Sequence, residues 1–350
     1  MVGDNTKDRS PLLPDRMVQG DFFVCDIFDA APKADMASME HPIFSISTKP
    51  DRRIRRYENG SNFVEITPSV KGLATVHDRD VLIYCISQCI AALNQGQSVS
   101  RNIRFTAYDL LSATNRGTDG RGYEQLRAAL DRLSGTRIKT NITTGDQEEI
   151  DGFGLIDRYR IVRQTRDERM QEVEIELSQW VFNAIKHKEV LTLHRDYFRL
   201  RKPLERRIYE IGRKHCGQKK EWRIGLASLQ SKCGSASTEK EFRRLISTIV
   251  KQDAEHSHMP DYSVHLDNDM VIFTNRREEV AAATPAVSSG PHLDPEAYHD
   301  ARDVAQGWDV YVLEQEWRAW MAEYDIEPPR NSTKAFIGFC RKWVEKRGRG

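Results

Sequence analysis

Along this 350-residue chain, one order of secondary-structure elements occurs twice. Each copy is predicted to form a helix, a strand, a short helix, a turn, a longer helix and a β-hairpin. In the first copy these elements occupy residues 77–94, 98–106, 107–114, 115–120, 121–134 and 136–162. In the second copy they occupy residues 203–216, 222–226, 227–233, 234–237, 238–254 and 262–274. Short strands mixed with helices predict an α+β fold with two domains of the same architecture.

Apolar residues at helical spacing mark the longer helix of each copy. They are Tyr123, Leu126, Leu130 and Leu133 in the first copy, and Phe242, Leu245, Ile246, Ile249 and Val250 in the second. This spacing gives each helix one apolar face that can hold a domain core. Thr238 followed by Glu241 also matches a capping box, which predicts where the second longer helix begins.

The opposite faces of the two longer helices carry side chains suited to reading DNA. Such side chains can donate to base edges in the major groove, while a following hairpin contacts the phosphates. The candidate DNA-binding residues are Arg121, Gln125, Arg127 and Arg132 in the first helix, Arg137, Lys139 and Asn141 in the hairpin after it, and Lys240, Arg243, Arg244, Thr248 and Lys251 in the second helix. Any amphipathic helix has solvated charges, so each helix alone also fits a plain surface role. Because the pattern occurs twice before a hairpin, it predicts two tandem winged-helix domains, each a helix-turn-helix with a β-hairpin wing.

The net charge of +1 hides strongly charged segments. Residues 195–223 hold eleven Lys and Arg against four acidic residues, and residues 330–350 hold seven against one. Residues 281–329 hold ten acidic residues against two Arg. A basic segment can contact phosphates. The basic side chains of residues 203–216 could equally be solvated or paired with acidic residues of the same helix.

Motifs of common enzyme classes are absent from the sequence. It has no GxxxxGK(S/T) phosphate loop, no HExxH zinc motif and no GxSxG nucleophile motif, so we expect neither catalysis nor a cofactor. Cys216, Cys233, His256 and His258 have irregular spacing for zinc, so no metal site is expected. A nicking replication enzyme that uses His256, His258 and a tyrosine remains an alternative.

The sequence also carries no targeting signal. It has no apolar run of 18 residues, and residues 1–17 lack the apolar core of a signal peptide. The six cysteines form no CxxC pair, which favours free thiols over disulfides. We therefore expect a cytoplasmic protein with no membrane span.

Composition divides the chain into five segments. Residues 1–60 predict an irregular Pro-containing arm, and residues 61–190 and 191–276 the two winged-helix domains. Residues 277–306 predict a linker, because they hold clusters of Ala, Ser, Gly and Pro. Residues 307–350 predict a small helical module with helices at 307–324 and 332–346, since a disordered tail would not normally carry so many tryptophans.

Five segments, in order along the chain, carry a family resemblance. They are residues 21–26 (DFFVCD), 40–45 (EHPIFS), 120–126 (GRGYEQL), 128–142 (AALDRLSGTRIKTNI) and 195–217, with PLERRIYE at the centre of the last. Together they resemble the plasmid replication initiator protein A family over about residues 10–276. The resemblance implies tandem winged helices, binding to repeated origin sites (iterons), local duplex opening, and recruitment of the host initiator and replicative helicase. It also implies that monomers bind the origin and that homodimers autorepress.

The sequence therefore predicts a plasmid replication initiator that binds double-stranded DNA at origin repeats. The DNA-binding part follows from the two helices, whereas the replication part follows from the resemblance. A winged-helix transcriptional repressor that binds an operator is the alternative.

Overall fold

The computed structural model describes most of the chain in three units. The described residues are 10–17, 25–26, 42–59, 62–144, 147–163, 170–186, 191–276, 293, 295–305, 308, 310–324, 326, 329 and 331–347. They form three hydrophobic clusters, one for each unit. We call residues 42–186 the first unit, residues 191–276 the second unit and residues 293–347 the tail unit.

The first unit mixes short helices with antiparallel strands. Up to its end, the elements are β1 (Cys25–Asp26), β2 (Arg55–Asn59), β3 (Asn62–Thr67), α1 (Arg79–Asn94), β4 (Asn102–Thr106), α2 (Ala107–Ala113), α3 (Gly120–Gly135), β5 (Arg137–Thr144), β6 (Gln147–Gly154), β7 (Ile156–Arg163), β8 (Met170–Leu177) and α4 (Gln179–Lys186). The predicted helices at 77–94, 107–114 and 121–134 are thus α1, α2 and α3.

The second unit follows the predicted order closely. Its elements are β9 (Leu191–Thr192), a 3-10 helix (Arg195–Arg199), α5 (Pro203–His215), β10 (Glu221–Gly225), α6 (Leu226–Cys233), α7 (Glu239–His256), β11 (Tyr262–Asp267) and β12 (Met270–Asn275). Local signals fix these bounds. Gly234 ends α6 with φ +65°, and the Thr238 hydroxyl accepts a hydrogen bond from the Glu241 N–H at 3.3 Å. The predicted start of α7 at Thr238 is therefore confirmed, while the carboxylate of Glu241 accepts from Arg244 and does not complete the capping box.

The two units share one sheet topology. In the first unit β4 pairs with β8, which pairs with β7, and in the second unit β10 pairs with β12, which pairs with β11. All of these pairs are antiparallel. In both units, the strand before the short helix joins the second strand of a hairpin that follows the longer helix. The hairpins β7–β8 and β11–β12 therefore occupy equivalent places in an α+β fold with small antiparallel sheets.

The pairing predicted for residues 136–162 is wrong. This segment holds β5, β6 and the larger part of β7 instead of one hairpin. Strands β5 and β6 belong to a sheet of order β2-β3-β5-β6, whereas β7 leaves that sheet and pairs with β8. A Cβ at Gly154 would lie 2.9 Å from the carbonyl oxygen of Ile156, so a glycine leaves room for the change of direction. Among residues 154–156 only Gly154 favours a turn. The alternating pattern of the sequence therefore continues from β6 into β7 and does not reveal the change of sheet.

Part of the predicted irregular arm is ordered. Strand β2 pairs with β3, and β1 pairs with β9. Residues 10–17 contact both units: the Arg16 N–H donates to Oδ1 of Asn115 at 2.7 Å, and the Leu13 N–H donates to the carbonyl of Arg199 at 2.9 Å. The parts of the predicted arm at 1–9, 18–24, 27–41 and 60 lie outside the described residues.

Helix α1 joins the first unit to the second. Most of its residues are buried, and Ile83 belongs to the hydrophobic cluster of the second unit. At its first turn, Nη1 of Arg79 lies 2.6 Å from Oε2 of Glu210, and Nη1 of Arg206 lies 2.6 Å from Oδ1 of Asp80. Each of these four side chains is at most 3% exposed. In one pair α1 supplies the cation and α5 the anion, and in the other pair the roles are reversed. Two buried ion pairs therefore hold α1 against α5.

Further contacts satisfy most of the remaining polar atoms of this junction. The Tyr197 hydroxyl donates to Glu210 at 2.7 Å, and Arg206 donates to the carbonyls of Leu200 and Phe198 at 2.9 and 3.0 Å. Burial by itself would raise the pKa of Asp80. The guanidinium groups of Arg206 and Arg116 outweigh burial and hold that pKa below its usual value. The junction is therefore a charged network at neutral pH.

The tail unit is built from three described helices. They are α8 (Pro295–Val304), α9 (Val310–Glu323) and α10 (Ser332–Arg347). Helix α8 begins inside the predicted linker, so that prediction is too long at its carboxyl end. Ala297, Ala301 and Ala305 are spaced four residues apart and are buried, and α8 packs on α10. Within the described residues, no helix has the length and apolar composition to span a membrane.

We expect Arg206→Ala to lower the free energy of unfolding by about 3–5 kcal/mol, because it leaves the buried Asp80 with one cation fewer. Urea unfolding followed by circular dichroism measures this change. Arg201→Ala is the matched control, since Arg201 is exposed on the same segment and should cost less than about 0.5 kcal/mol. Equal stability of the two variants would show that the junction does not hold the units together.

His77, directly before α1, gives the fold a pH dependence. Burial and the charge of Arg206 lower the pKa of His77 to about 3, whereas the pKa of histidine in an unfolded chain is about 6.5. Between these values the unfolded chain binds a proton that the folded chain does not, so stability falls as the pH falls from about 6.5 toward about 3. His77→Gln should remove this loss, which amounts to about 2 kcal/mol at about pH 5. Melting curves at about pH 7.5 and about pH 5 test it, and an unchanged difference between the two conditions would contradict the prediction.

Candidate nucleic-acid interface

Helix α3 begins at a glycine-rich turn and presents polar side chains outward. Oδ1 of Asp119 accepts a hydrogen bond from the Gly122 N–H at 2.9 Å and caps the helix. A Cβ at Gly122 would lie 1.8 Å from the carbonyl oxygen of Gly117, so the first turn of α3 packs directly on the loop before it. Leucines fill the inner face of α3, and its exposed outer face carries Arg121, Gln125 and Arg127.

Arg132 on α3 has an internal partner instead of the predicted DNA contact. Its Nε and Nη2 atoms lie 2.7 Å from the two carboxylate oxygens of Asp78, at the start of α1. The Arg132 side chain is only 22% exposed and Asp78 only 3%. A bidentate pair with a buried carboxylate uses the donors that a base contact would need. We therefore remove Arg132 from the candidate DNA contacts.

Strand β5 places its three candidates in two different environments. Arg137 and Lys139 are exposed, and Nη2 of Arg137 donates to the carbonyl of Gly152 at 2.8 Å. Asn141 is buried, and its Oδ1 accepts a hydrogen bond from the Phe63 N–H at 2.6 Å. This hydrogen bond joins β5 to β3, so we also remove Asn141 from the candidate DNA contacts.

The hairpin β7–β8 lies beside α3 and adds basic residues that were not predicted. The Tyr159 hydroxyl on β7 donates to the carboxylate of Asp131 on α3. On the same sheet, Arg104 lies 3.8 Å and Arg160 lies 3.4 Å from Glu174, and both arginines are exposed. Arg158 on β7 is exposed as well. The alternation of Arg158, Tyr159 and Arg160 is typical of a strand. Because the alternating pattern runs on from β6, however, the sequence does not reveal β7 as a separate strand beside α3.

Helix α7 presents its candidates on an exposed face. Lys240, Arg244, Thr248 and Lys251 are exposed, and the opposite face of α7 is buried in the second unit. Nη2 of Arg244 lies 2.6 Å from Oε1 of Glu241, and the Thr248 hydroxyl donates to the carbonyl of Arg244 at 2.9 Å. Exposed pairs of this kind contribute little free energy, so Arg244 can leave Glu241 at little cost.

Arg243 on α7 is bound to the hairpin turn of its own unit. Nη1 donates to the carbonyl of Asn268 at 2.7 Å, and Nη2 contacts the carboxylate of Asp269. Asn268 has φ +51°, the left-handed conformation that a tight hairpin turn needs. The turn is acidic, since Asp267 also belongs to it. Arg243 is therefore already paired, and the turn beside it is negatively charged.

The outer face of α7 borders the first unit. A groove of about 540 Å³ separates α7 from residues 46–55. Arg244 and Thr248 line one side of the groove, and Arg53 and Arg55 line the other. Basic side chains of both units therefore meet at one surface, although they are far apart in the sequence.

The basic segment 195–223 is largely used inside the protein. Arg206 and Arg207 are buried at the junction, and Nη1 of Arg207 lies 3.1 Å from Glu210. Arg199 donates to the carbonyl of Leu13 at 2.9 Å, and Arg213 donates to the carbonyl of Thr192 at 2.7 Å. The exposed basic residues of the segment are Arg201, Lys219, Lys220 and Arg223. The segment is therefore not one continuous phosphate-binding surface.

His258 lies in the interior of the second unit. Its Nε2 is 3.4 Å from Oε1 of Glu205, its Nδ1 is 3.6 Å from Oδ1 of Asp253, and its side chain is 0% exposed. Burial keeps a DNA strand away from His258, so His256 and His258 do not form an accessible pair for a nicking reaction. In the part of the chain that the structure describes, no group of three or more His, Cys, Asp or Glu side chains could hold a metal ion.

Two sequence comparisons point to the same family. The family model described as Replication initiator protein A matches residues 33–264. A protein of Wigglesworthia glossinidia brevipalpis, provisionally named a replication protein, is 37% identical over 278 residues, which cover 78% of this chain and 99% of that protein. The chain belongs to the replication initiator protein A family. The resemblance predicted from the five sequence segments is thereby confirmed.

The fold of this initiator-family chain has a solved counterpart. The crystal structure of domains 2 and 3 of RctB aligns with a TM-score of 0.50 and 14% identity, and the match covers 70% of this chain and 99% of that chain. At this identity the likeness concerns the fold alone. The tail unit lies beyond the family match, which ends at residue 264.

Proposed function

We propose that this protein initiates plasmid replication by binding origin repeats through two winged-helix domains. The observation that carries the proposal is the duplicated topology, in which a strand, a short helix and a longer helix precede a hairpin that pairs back onto that strand. A winged-helix domain has this order and places its longer helix in the major groove. Family membership supplies the link to replication.

The recognition helices in this proposal are α3 and α7. Arg121 and Gln125 read base edges from α3. Phosphate contacts next to α3 come from Arg137 and Lys139 on β5 and from the exposed arginines of β7. On α7, Arg243 reads a base after it leaves Asp269, while Lys240, Arg244, Thr248 and Lys251 contact the backbone. All of these side chains are exposed except that of Arg243, which is partly covered by its contact with Asp269 and keeps 38% of its surface exposed.

The two helices contact successive major grooves of one repeat, about 10 bp apart. Bending the DNA between them favours opening of an adjacent AT-rich duplex, because the deformation energy depends on sequence. The protein breaks no covalent bond in this scheme and needs no cofactor. The host initiator and the replicative helicase are its cytoplasmic partners, and a homodimer is its second form.

A mobility-shift titration on the repeats that flank the gene tests the proposal. Affinity for the repeats should exceed affinity for random DNA by roughly 1,000-fold or more. Equal affinities would refute the recognition of repeats. A plasmid that carries only this gene and its repeats then separates two roles. An initiator sustains replication of that plasmid in a permissive host, whereas an operator-binding repressor does not.

Arg121→Ala should lower the preference for repeats over random DNA by about 1–3 kcal/mol, because a bidentate base contact is lost. Lys139→Ala is the matched comparison on β5. It should weaken binding to repeats and to random DNA alike, and should flatten the salt dependence by about one ion. Mobility shifts at several salt concentrations measure both. Equal losses on the two DNAs for Arg121→Ala would contradict its role as a reader.

Arg243→Ala should also lower sequence preference by about 1–3 kcal/mol. Asp269→Asn tests the same contact from the other side, since it removes the carboxylate that competes with DNA for Arg243. It should raise affinity for the repeats in the same mobility-shift assay. Weaker binding by Asp269→Asn would instead mean that the pair between Arg243 and Asp269 holds the hairpin in its DNA-binding position.

A further inference from the structure

The tail unit carries a row of aromatic rings in mutual contact. The ring centroid of Trp320 lies 6.3 Å from that of Tyr324 and 5.9 Å from that of Phe339. Phe339 in turn lies 5.5 Å from Trp343, and Trp343 lies 5.9 Å from Trp308. We call these five residues the aromatic row.

Two rings of the aromatic row lie outside the core of the tail unit. Trp317 and Phe336, with ring centroids 5.4 Å apart, are buried at its centre. Trp320 and Tyr324 do not belong to this hydrophobic cluster and are 42% and 64% exposed. Isolated exposed rings are common on proteins, but adjoining ones mark a binding surface more often. The core of the tail unit therefore does not explain this end of the row.

Basic side chains of α10 flank the aromatic row. Lys342 and Lys346 each follow a ring of the row by three residues, a spacing that makes neighbours on a helix. The guanidinium carbon of Arg347 lies 4.0 Å from the ring centroid of Trp343. All three cations are exposed, and residues 332–347 hold five basic residues against one acidic residue. The α10 end of the aromatic row is therefore positive, whereas the exposed Glu316 lies one turn before Trp320 on α9.

We propose that the aromatic row binds single-stranded DNA. Aromatic side chains stack on bases with little sequence preference, and neighbouring cations contact the phosphates. A duplex hides the faces of its bases in its own stack, so exposed flat rings favour an unpaired strand. A basic helix alone would attract any acidic partner, but such a partner would have no need of adjoining rings.

This surface is distinct from the proposed duplex readers, because the readers lie on α3 and α7 whereas the aromatic row belongs to the tail unit. The binding itself follows from the rings and charges of the tail unit. That the strand is the one released when an origin opens rests on the proposed function. A test with a strand that contains no origin repeat keeps the two proposals apart.

The experiment follows the fluorescence anisotropy of a labelled thymidine strand of about twenty nucleotides with the full-length protein, and of a random duplex of about the same length in parallel. Trp320→Ala should weaken strand binding at least about fivefold, because one stacking partner is lost, and should leave duplex binding unchanged. Trp320→Phe keeps a ring and should retain most of the strand affinity. Circular dichroism confirms that each variant is folded.

Lys346→Ala and Arg341→Ala form a matched pair for the charge contribution. Both remove an exposed cation from α10, but Arg341 precedes Trp343 by two residues and so lies on the other side of the helix. Lys346→Ala should lower strand affinity and reduce its salt dependence by about one ion, whereas Arg341→Ala should change neither.

Unchanged strand binding by Trp320→Ala, or an equal loss on strand and duplex, would overturn the proposal. Size-exclusion chromatography adds a further check. If Trp320→Ala changes the oligomeric state and not the strand affinity, the row is an interface between copies of the chain, and the proposal is wrong. Failure to recognise origin repeats would leave the expected results on the thymidine strand unaffected.

Discussion

The buried ion pairs between α1 and α5 decide how the two units sit together. Removing Arg79, Asp80, Arg206 and Glu210 from water carries a large desolvation cost, which only close geometry and added hydrogen bonds can offset. Both are present: the two pairs measure 2.6 Å each, and a tyrosine hydroxyl and backbone carbonyls occupy most of the remaining polar sites. Such a network adds little net stability. Any other arrangement of the units, however, would leave a buried charge without its partner. We infer that the junction specifies one relative position of the units.

The same junction contacts α3, the first proposed reader helix, and α6, the helix that precedes the second. Arg132 of α3 holds Asp78, the residue before Arg79, so the first reader rests on the turn that begins α1. On the other side, Nε of Arg207 donates at 3.2 Å to the carbonyl of Lys232, near the end of α6 and just before α7. The positions of α3 and α6 thus depend on ion pairs and hydrogen bonds inside the protein. In the proposed function, this arrangement keeps the two groove contacts at a fixed separation.

The sequence predicts an element well where the contacts that bound it are local. The elements predicted from residue 203 onward fall within two residues of those observed, because signals such as Gly234 and the Thr238 cap lie at their ends, whereas β9 and the 3-10 helix before them were not predicted. Arg132 and Asn141 show the opposite case. Both lie in the predicted helix or strand, yet their partners Asp78 and Phe63 are 54 and 78 residues away along the chain. A local pattern reveals which side chains a helix or strand carries, but it cannot reveal whether a distant residue already binds them. The junction between the units is beyond local prediction for the same reason.

Helix α8 shows that local sequence patterns can also miss a whole helix, since it lies inside the predicted linker. The clusters of Ala, Ser, Gly and Pro that predict a linker lie at residues 281–291, before α8. The buried alanines of α8, at four-residue spacing, form a stripe that packs on α10. A core lined by small residues on one helix needs few large side chains to fill it. Trp317 and Phe336 occupy its centre, which leaves Trp320 and Tyr324 without a place inside. Their exposure leaves these two rings available to a partner, and the positive charge of α10 at the other end of the aromatic row suits an anionic one.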